Sequence, residues 1–217
     1  MDTSAAVSFA SRETYAVGAC VLPNQMIFHF DTERWNFRSL VSTFFNTHDL
    51  EHLHLNPAFN PLTQQHPAPN YEATRNSWAA SKNLKEAVSA AAEPIFRDLL
   101  HGLVADFFHP IASFQPRAAV RVNFHGSKAI LRFHTDAEYG QDLEAVNLWL
   151  PITSAFGSNS MYLESDVGRG DYTPLQLSYG QACLFRGTEL MHGTKDNDSG
   201  STRISFDLRF RIKSPRA

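Results

Sequence analysis

Residues 202–212 read TRISFDLRFRI, and their alternation decides the class of fold. Arg203, Ser205, Asp207, Arg209 and Arg211 share one parity and Ile204, Phe206, Leu208, Phe210 and Ile212 the other. This is the two-residue period of a β-strand whose faces meet different surroundings. Read alone, such a strand turns its polar face to water and its apolar face to a core. The same period, broken by turn residues, runs back to Arg117 and predicts strands at 118–124, 129–134, 145–152, 161–164, 175–178, 182–186 and 202–212. Turns are expected at 125–128, 157–159, 168–170, 179–180 and 197–200. Short strands so spaced predict a sandwich or barrel with helices segregated to one side.

Upstream, residues 1–19 have no sustained period and read as a loose lead-in to a first strand around 20–30. Trp35, Phe37, Leu40, Val41, Phe44 and Phe45 have helical spacing, and a short helix is expected at 49–55. Pro57, Pro61, Pro67 and Pro69 make 56–70 a loop. Ser81 is suited to cap a helix whose stripe is Leu84, Val88, Ala91, Ile95, Leu99, Leu103 and Phe107, with Pro94 kinking or restarting it.

The chain has 217 residues, 43% apolar and 19% charged, with a net charge of −3, which predicts one domain over 1–217. Within it, 20–110 would form a helical flank and first strand and 115–212 the β core. A chain of this size buries roughly 70% of its unfolded surface and needs no disulfide or structural metal to fold. Cys20 and Cys183 are therefore read as reduced thiols, and with no secretory pattern near Arg12 the expected location is cytoplasmic. The charge balance gives no electrostatic case for nucleic acid or for a membrane as partner.

The chemistry concentrates on His134 and Asp136, one residue apart, and His192, 58 residues later. Two imidazoles and a carboxylate can hold Fe(II) on one face and leave three coordination positions open, as oxygen chemistry requires. Eleven residues after His192 come Arg203 and Ser205, on one face of their strand. A guanidinium can clamp a carboxylate with two parallel hydrogen bonds, and a hydroxyl can add another. A 2-oxoglutarate dianion would neutralise the local charge of such a metal and Arg203.

Four stretches, HTDAEYG at 134–140, EAVNLWLPIT at 144–153, HG at 192–193 and TRISFDLR at 202–209, together with Glu164, resemble the iron and 2-oxoglutarate dioxygenases. The likeness is closer to the phytanoyl-CoA dioxygenase-like branch that includes streptomycin-biosynthesis hydroxylase-like proteins, and it covers about residues 115–212. The resemblance implies a mainly β fold with flanking α-helices, a double-stranded β-helix or jelly roll, with the long helix on its outer sheet. It inverts the ordinary reading of 202–212: Arg203 and Ser205 would face inward, and the Ile/Phe/Leu face would pack under the helices. Asp207 would then need a cation, Arg121 or Arg209. Asn147, sharing a face with Trp149, becomes a candidate contact of the co-substrate. Arg121, Tyr139, Glu144 and Glu164 are candidate substrate contacts. Asp136 stands where related halogenases carry a small residue, so hydroxylation or another C–H oxidation of a small molecule is expected, with Fe(II), 2-oxoglutarate and O2.

An alternative keeps the barrel but not the co-substrate: a cupin-like metal-binding or sugar-processing protein, for which Arg203 would have no purpose. His48, His52 and His54 could be imagined as a second metal site, but no carboxylate pattern completes it. His125 reads as a turn residue and Cys183 as inert core.

Overall fold

The structure is a computed structural model, and it describes residues 7–9, 14–17, 20–56, 59, 79–107, 110–129 and 132–213. Twelve strands are assigned among them: β1 (Val7–Phe9), β2 (Thr14–Val17), β3 (Cys20–Pro23), β4 (Gln25–His29), β5 (Ile111–Phe114), β6 (Ala119–Asn123), β7 (Val146–Pro151), β8 (Met161–Leu163), β9 (Thr173–Pro174), β10 (Gln181–Phe185), β11 (His192–Thr194) and β12 (Arg203–Ile212). Two longer helices, α1 (Phe37–Phe45) and α2 (Ala79–Leu99), precede β5.

The strands form a major sheet in the order β1-β4-β10-β7-β12-β5, with β6 also paired to β12, and a minor sheet β11-β8-β9. A hairpin joins β2 to β3. All the pairings are antiparallel, and the architecture is a jelly roll, mainly β with helices on one face.

Strand β12 shows how the sequence divides the molecule. Its Ile204, Phe206, Leu208, Phe210 and Ile212 join Phe37, Val41, Phe45, Val88, Ala92, Phe96 and Leu99 in one core between the major sheet and the helices. Phe206 lies 5.8 Å from Phe37 and 5.2 Å from Phe96, ring centre to ring centre. The opposite face of the major sheet contributes Trp149, Cys183 and Phe185 to a second core with Met161, Leu163, Leu175, Leu177 and Leu190. Alternate residues of one strand thus serve two cores, because successive side chains leave a strand on opposite sides.

Helix α1 begins where Asn36 accepts a hydrogen bond from the Ser39 amide, and it ends on Asn46 in the left-handed region, φ 50°. Trp35 Nε1 donates to Asp98 Oδ2 at 2.7 Å, tying the start of α1 to α2.

Several sequence expectations are corrected. The lead-in holds β1, which pairs with β4, and β2, which pairs with β3; runs of three or four residues are too short to show a period. Because β4 pairs with β10, the sheet is not confined to 115–212. In place of a strand over 129–134 there is a single bridge at His134, with residues 130–131 outside the described ones. The strand expected at 175–178 is β9, two residues earlier, followed by a bridge at Leu177. The helix expected at 49–55 is one 3-10 turn, Leu53–Leu55. Ser81 lies inside α2, and Pro94 neither ends nor restarts it; the irregularity is a π turn at Leu100–Val104. Of the expected stripe Val88 and Leu99 are buried, joined by Ala92, Phe96, Leu100 and Val104, while Leu84, Ile95, Leu103 and Phe107 lie at its margins. Most of the Pro-rich loop 56–70 lies outside the described residues.

Phe206→Ala is expected to lower unfolding free energy by about 3–5 kcal/mol, since it empties the contact between β12 and both helices. Urea denaturation measures it.

Candidate metal and co-substrate site

The two histidines are brought together by backbone. His134 N donates to His192 O at 3.0 Å, and His192 N donates to His134 O at 2.9 Å, a reciprocal antiparallel bridge at the edge of the minor sheet. The rings lie 4.5 Å apart, centre to centre. Each ring is oriented by a carbonyl two residues back: His134 Nδ1 lies 2.8 Å from Arg132 O, and His192 Nδ1 lies 3.0 Å from Leu190 O. A carbonyl can only accept, so each Nδ1 carries a proton and Nε2 is the ring nitrogen left to face a metal.

Asp136 opens a 3-10 turn, Asp136–Tyr139, whose Thr135 and Glu138 form a capping box. One ligand atom from each of His134, Asp136 and His192 can be chosen within 4.8 Å of the others, and all three residues are buried. The set fits a divalent transition metal bound on one face. Neutral imidazoles and a carboxylate are borderline and hard donors, suited to Fe(II).

Asp136 is 2% exposed, and its carboxylate is held by three bonds. Arg209 Nη2 donates to Oδ1 at 2.6 Å, Arg209 Nε to Oδ2 at 2.8 Å, and Asn147 Nδ2 to Oδ2 at 2.7 Å. Burial alone would raise the carboxyl pKa, but the hydrogen bonds and charge of Arg209, with the Asn147 amide, hold it below the usual carboxylate value. Burial pushes the His192 imidazole down, which favours the neutral form that ligates a metal. Gly187 accepts the Asp136 amide at 2.7 Å, and a Cβ on it would stand 2.5 Å from Asn147 Oδ1.

The cavity beside the triad, about 540 Å³ counted to its open mouth, is lined by Arg121, Trp149, Met161, Thr194, Arg203, Asp207 and Arg209 together with the two histidines. Arg203 is 2% exposed, and its guanidinium carbon lies 5.8 Å from the Trp149 ring centre. Its Nε and Nη1 have no hydrogen-bond partner, nor do Ser205 Oγ, Thr194 Oγ1 and Asp207 Oδ1. Burial, and then repulsion from Arg121, pull the Arg203 pKa down to about 10, which leaves it charged at neutral pH.

The remaining sequence candidates are placed as follows. Asn147 contacts Asp136, whereas the sequence reading gave it to the co-substrate. Asp207 has Arg209 as its cation, with Nη2 3.9 Å from Oδ2. Tyr139 is 53% exposed, its ring edge-on to His134 at 5.0 Å. Glu144 pairs with Arg211 on the surface, outside the cavity. Glu164 accepts from the Met191 amide at 2.7 Å and the Gly170 amide at 3.1 Å, a buried anchor for the turn before His192 and not a cavity residue. His52 is held by Asp49, and His54 sits against Thr202 Oγ1, so these two do not converge on a metal. The Cys183 thiol, free and buried, is pushed up to about 12 by burial, as inert core requires. Among the described residues no helix is long and apolar enough to cross a membrane.

Arg209 and Gly187 are the functional residues that sequence reasoning missed. Parity already put Arg209 on the inner face, but nothing in the sequence links it to Asp136, 73 positions away.

A jelly roll carrying a His-x-Asp…His set beside a buried arginine has the form of the iron and 2-oxoglutarate oxygenases that the sequence resembles. No family model matches the chain. The chain is 31% identical over 116 residues to the streptomycin biosynthesis protein StrG of Streptomyces griseus, a match covering 54% of each, so it spans about half the length of that curated relative. Similar solved structures include a nickel complex of the non-heme monooxygenase ThoJ (14% identity, TM-score 0.47, 90% of this chain and 74% of that one). A Pseudomonas putida prolyl-4-hydroxylase matches at 14% identity and TM-score 0.45, over 88% of this chain and 94% of that one. An oxidoreductase of the 2OG-Fe(II) oxygenase family from Burkholderia pseudomallei matches at 17% identity and TM-score 0.41, over 58% and 62%.

Three predictions test the residues that hold Asp136. Arg209→Gln leaves a buried carboxyl without its cation, so metal affinity should fall roughly 10–100-fold in calorimetric titration with Mn(II). Because the Asp136 pKa is depressed in the folded protein, its stabilising contribution is present at neutral pH and lost as pH falls below the usual carboxylate range. In Arg209→Gln burial is no longer outweighed and raises the folded carboxyl pKa, so this acid-side loss of stability should shrink or reverse, read by urea denaturation across pH. Gly187→Ala, which changes no ligand side chain, should displace the Asn147 amide and weaken Mn(II) binding, while Ala at Gly102, whose added Cβ would meet only ordinary contacts with Arg34 and Trp35, should not.

Proposed function

We propose that the protein is an Fe(II)- and 2-oxoglutarate-dependent oxygenase that hydroxylates, or otherwise oxidises, an unactivated C–H bond of a small molecule. The observation that carries this reading is that the two histidines of the three-residue metal set share a cavity with a buried Arg203 whose Nε and Nη1 are unused. A metal site alone would serve many reactions; a buried guanidinium without a carboxylate calls for an acidic ligand.

His134, Asp136 and His192 would hold the iron. Bound there, Fe(II) supplies the redox chemistry that couples reduction of O2 and conversion of 2-oxoglutarate to succinate and CO2 with insertion of one oxygen atom into the substrate. Arg203, aided by Ser205, binds the distal carboxylate of 2-oxoglutarate and fixes the orientation of its other end toward the metal. Trp149 and Met161 give the same cavity an apolar wall. Asn147 and Arg209 keep Asp136 ionised and aimed. The similarity to a streptomycin biosynthesis protein supports a tailoring step in specialised metabolism, and reduced iron suits a cytoplasmic setting.

The pure protein with Fe(II), ascorbate, 2-oxoglutarate and O2 should form succinate, and His192→Ala or His134→Ala should abolish it. Arg203→Gln should raise the KM for 2-oxoglutarate about 10–100-fold, the worth of a charge-assisted pair of hydrogen bonds. Unchanged succinate formation in His192→Ala, or an unchanged KM in Arg203→Gln, overturns the assignment.

A further inference from the structure

A second guanidinium in the cavity has no assigned ligand. Arg121 stands on β6 directly across from Ser205 of β12, on the inner face, since Val120 and Val122 on either side of it belong to the helix-side core. It lines the cavity together with Arg203, from which it is one diagonal step away on the same sheet face, within the reach of two long side chains. Unlike Arg203, it is only partly buried and can be reached from the mouth. Among the described residues it makes no hydrogen bond or ion pair, and its diagonal neighbours on β12 are Arg203 and Asp207; it depresses the pKa of Arg203, and that of Lys85 on α2, which burial and Arg121 together bring to about 8.

Charge counting says what is missing. The site holds the guanidiniums of Arg121, Arg203 and Arg209 against the carboxylates of Asp136 and Asp207, and a divalent metal adds two more positive charges. On the reading above, 2-oxoglutarate removes two, and an excess remains at the position that the co-substrate does not need. Asp207 is already included in that balance, with its Oδ2 facing Arg209 at 3.9 Å.

We infer that Arg121 is the receptor for an anionic group, a carboxylate or phosphate, carried by the molecule that is oxidised. The inference rests on the oxygenase reading for the occupancy of Arg203 by the co-substrate. It makes Arg121 a specificity residue, placed where an acidic substrate entering by the mouth meets it before reaching the metal.

Sulfate serves as the probe, titrated calorimetrically into protein loaded with Mn(II) and 2-oxoglutarate. Binding in the millimolar range is expected for the parent, weakened at least about tenfold in Arg121→Gln and kept within about threefold in Arg121→Lys. The affinity of Arg121→Gln for 2-oxoglutarate should stay within about threefold of the parent. Sulfate binding that is absent from the parent, or the same in parent and Arg121→Gln, overturns the inference. So does a loss of 2-oxoglutarate affinity in Arg121→Gln as large as in Arg203→Gln, which would make Arg121 part of the co-substrate clamp. If the parent itself fails to bind 2-oxoglutarate, the oxygenase reading falls, and sulfate titration of the Arg203→Gln protein against Arg121→Gln/Arg203→Gln still decides the role of Arg121.

Discussion

The site depends on keeping one carboxylate ionised where almost no water reaches it. Asp136 is 2% exposed, and burying a lone charge there would drive it to the protonated form, useless as a ligand. The paired bonds from Arg209 reverse that tendency, and the Asn147 amide fixes which way the carboxylate faces. Because Arg209 lies on β12 and Asn147 on β7, the orientation of the ligand is set by the register between two central strands. The residues that hold the ligand are themselves held by the sheet.

Strand β12 carries more of the function than its length suggests. Its inner face presents, at two-residue steps, Arg203, Ser205, Asp207 and Arg209, running from the unused donors of one end to the holder of Asp136 at the other. Its outer face is buried under α1 and α2 by Ile204, Phe206, Leu208 and Phe210. The helices therefore act on the site at one remove: they pin the strand whose other face sets distances within the cavity. Packing on one side and polar chemistry on the other are not separable in such a strand.

Much of this was legible in sequence because it follows from parity. Parity divides β12 into two faces, the resemblance says which of them turns inward, and the His-x-Asp…His set is read from residue types and spacing. What parity cannot show is which inward residues meet across strands. Asn147 and Arg209 were both placed on the inner face, yet their common partner, Asp136, lies on a turn whose approach to the sheet is decided by Gly187. Gly187 stands in a turn, where a glycine is ordinary, so its need for close approach to Asn147 does not show in the sequence. Glu164 misled for a related reason: a buried carboxylate near a site suggests chemistry, whereas here two backbone amides use it up. The π turn at Leu100–Val104 escaped because it adds one residue without altering composition, and the apolar stripe before it already had helical spacing.

The bridge between His134 and His192 joins two amide protons to the metal ligands they belong to. Each imidazole sits on a residue whose backbone hydrogen bond crosses to the other, and no further ladder flanks His134 among the described residues. Parting this edge of the minor sheet therefore separates the ring nitrogens and exposes both amides at once. In the language of hydrogen exchange, loss of ligand geometry and loss of amide protection are one opening event, with a free energy that any ion bound between the rings would raise.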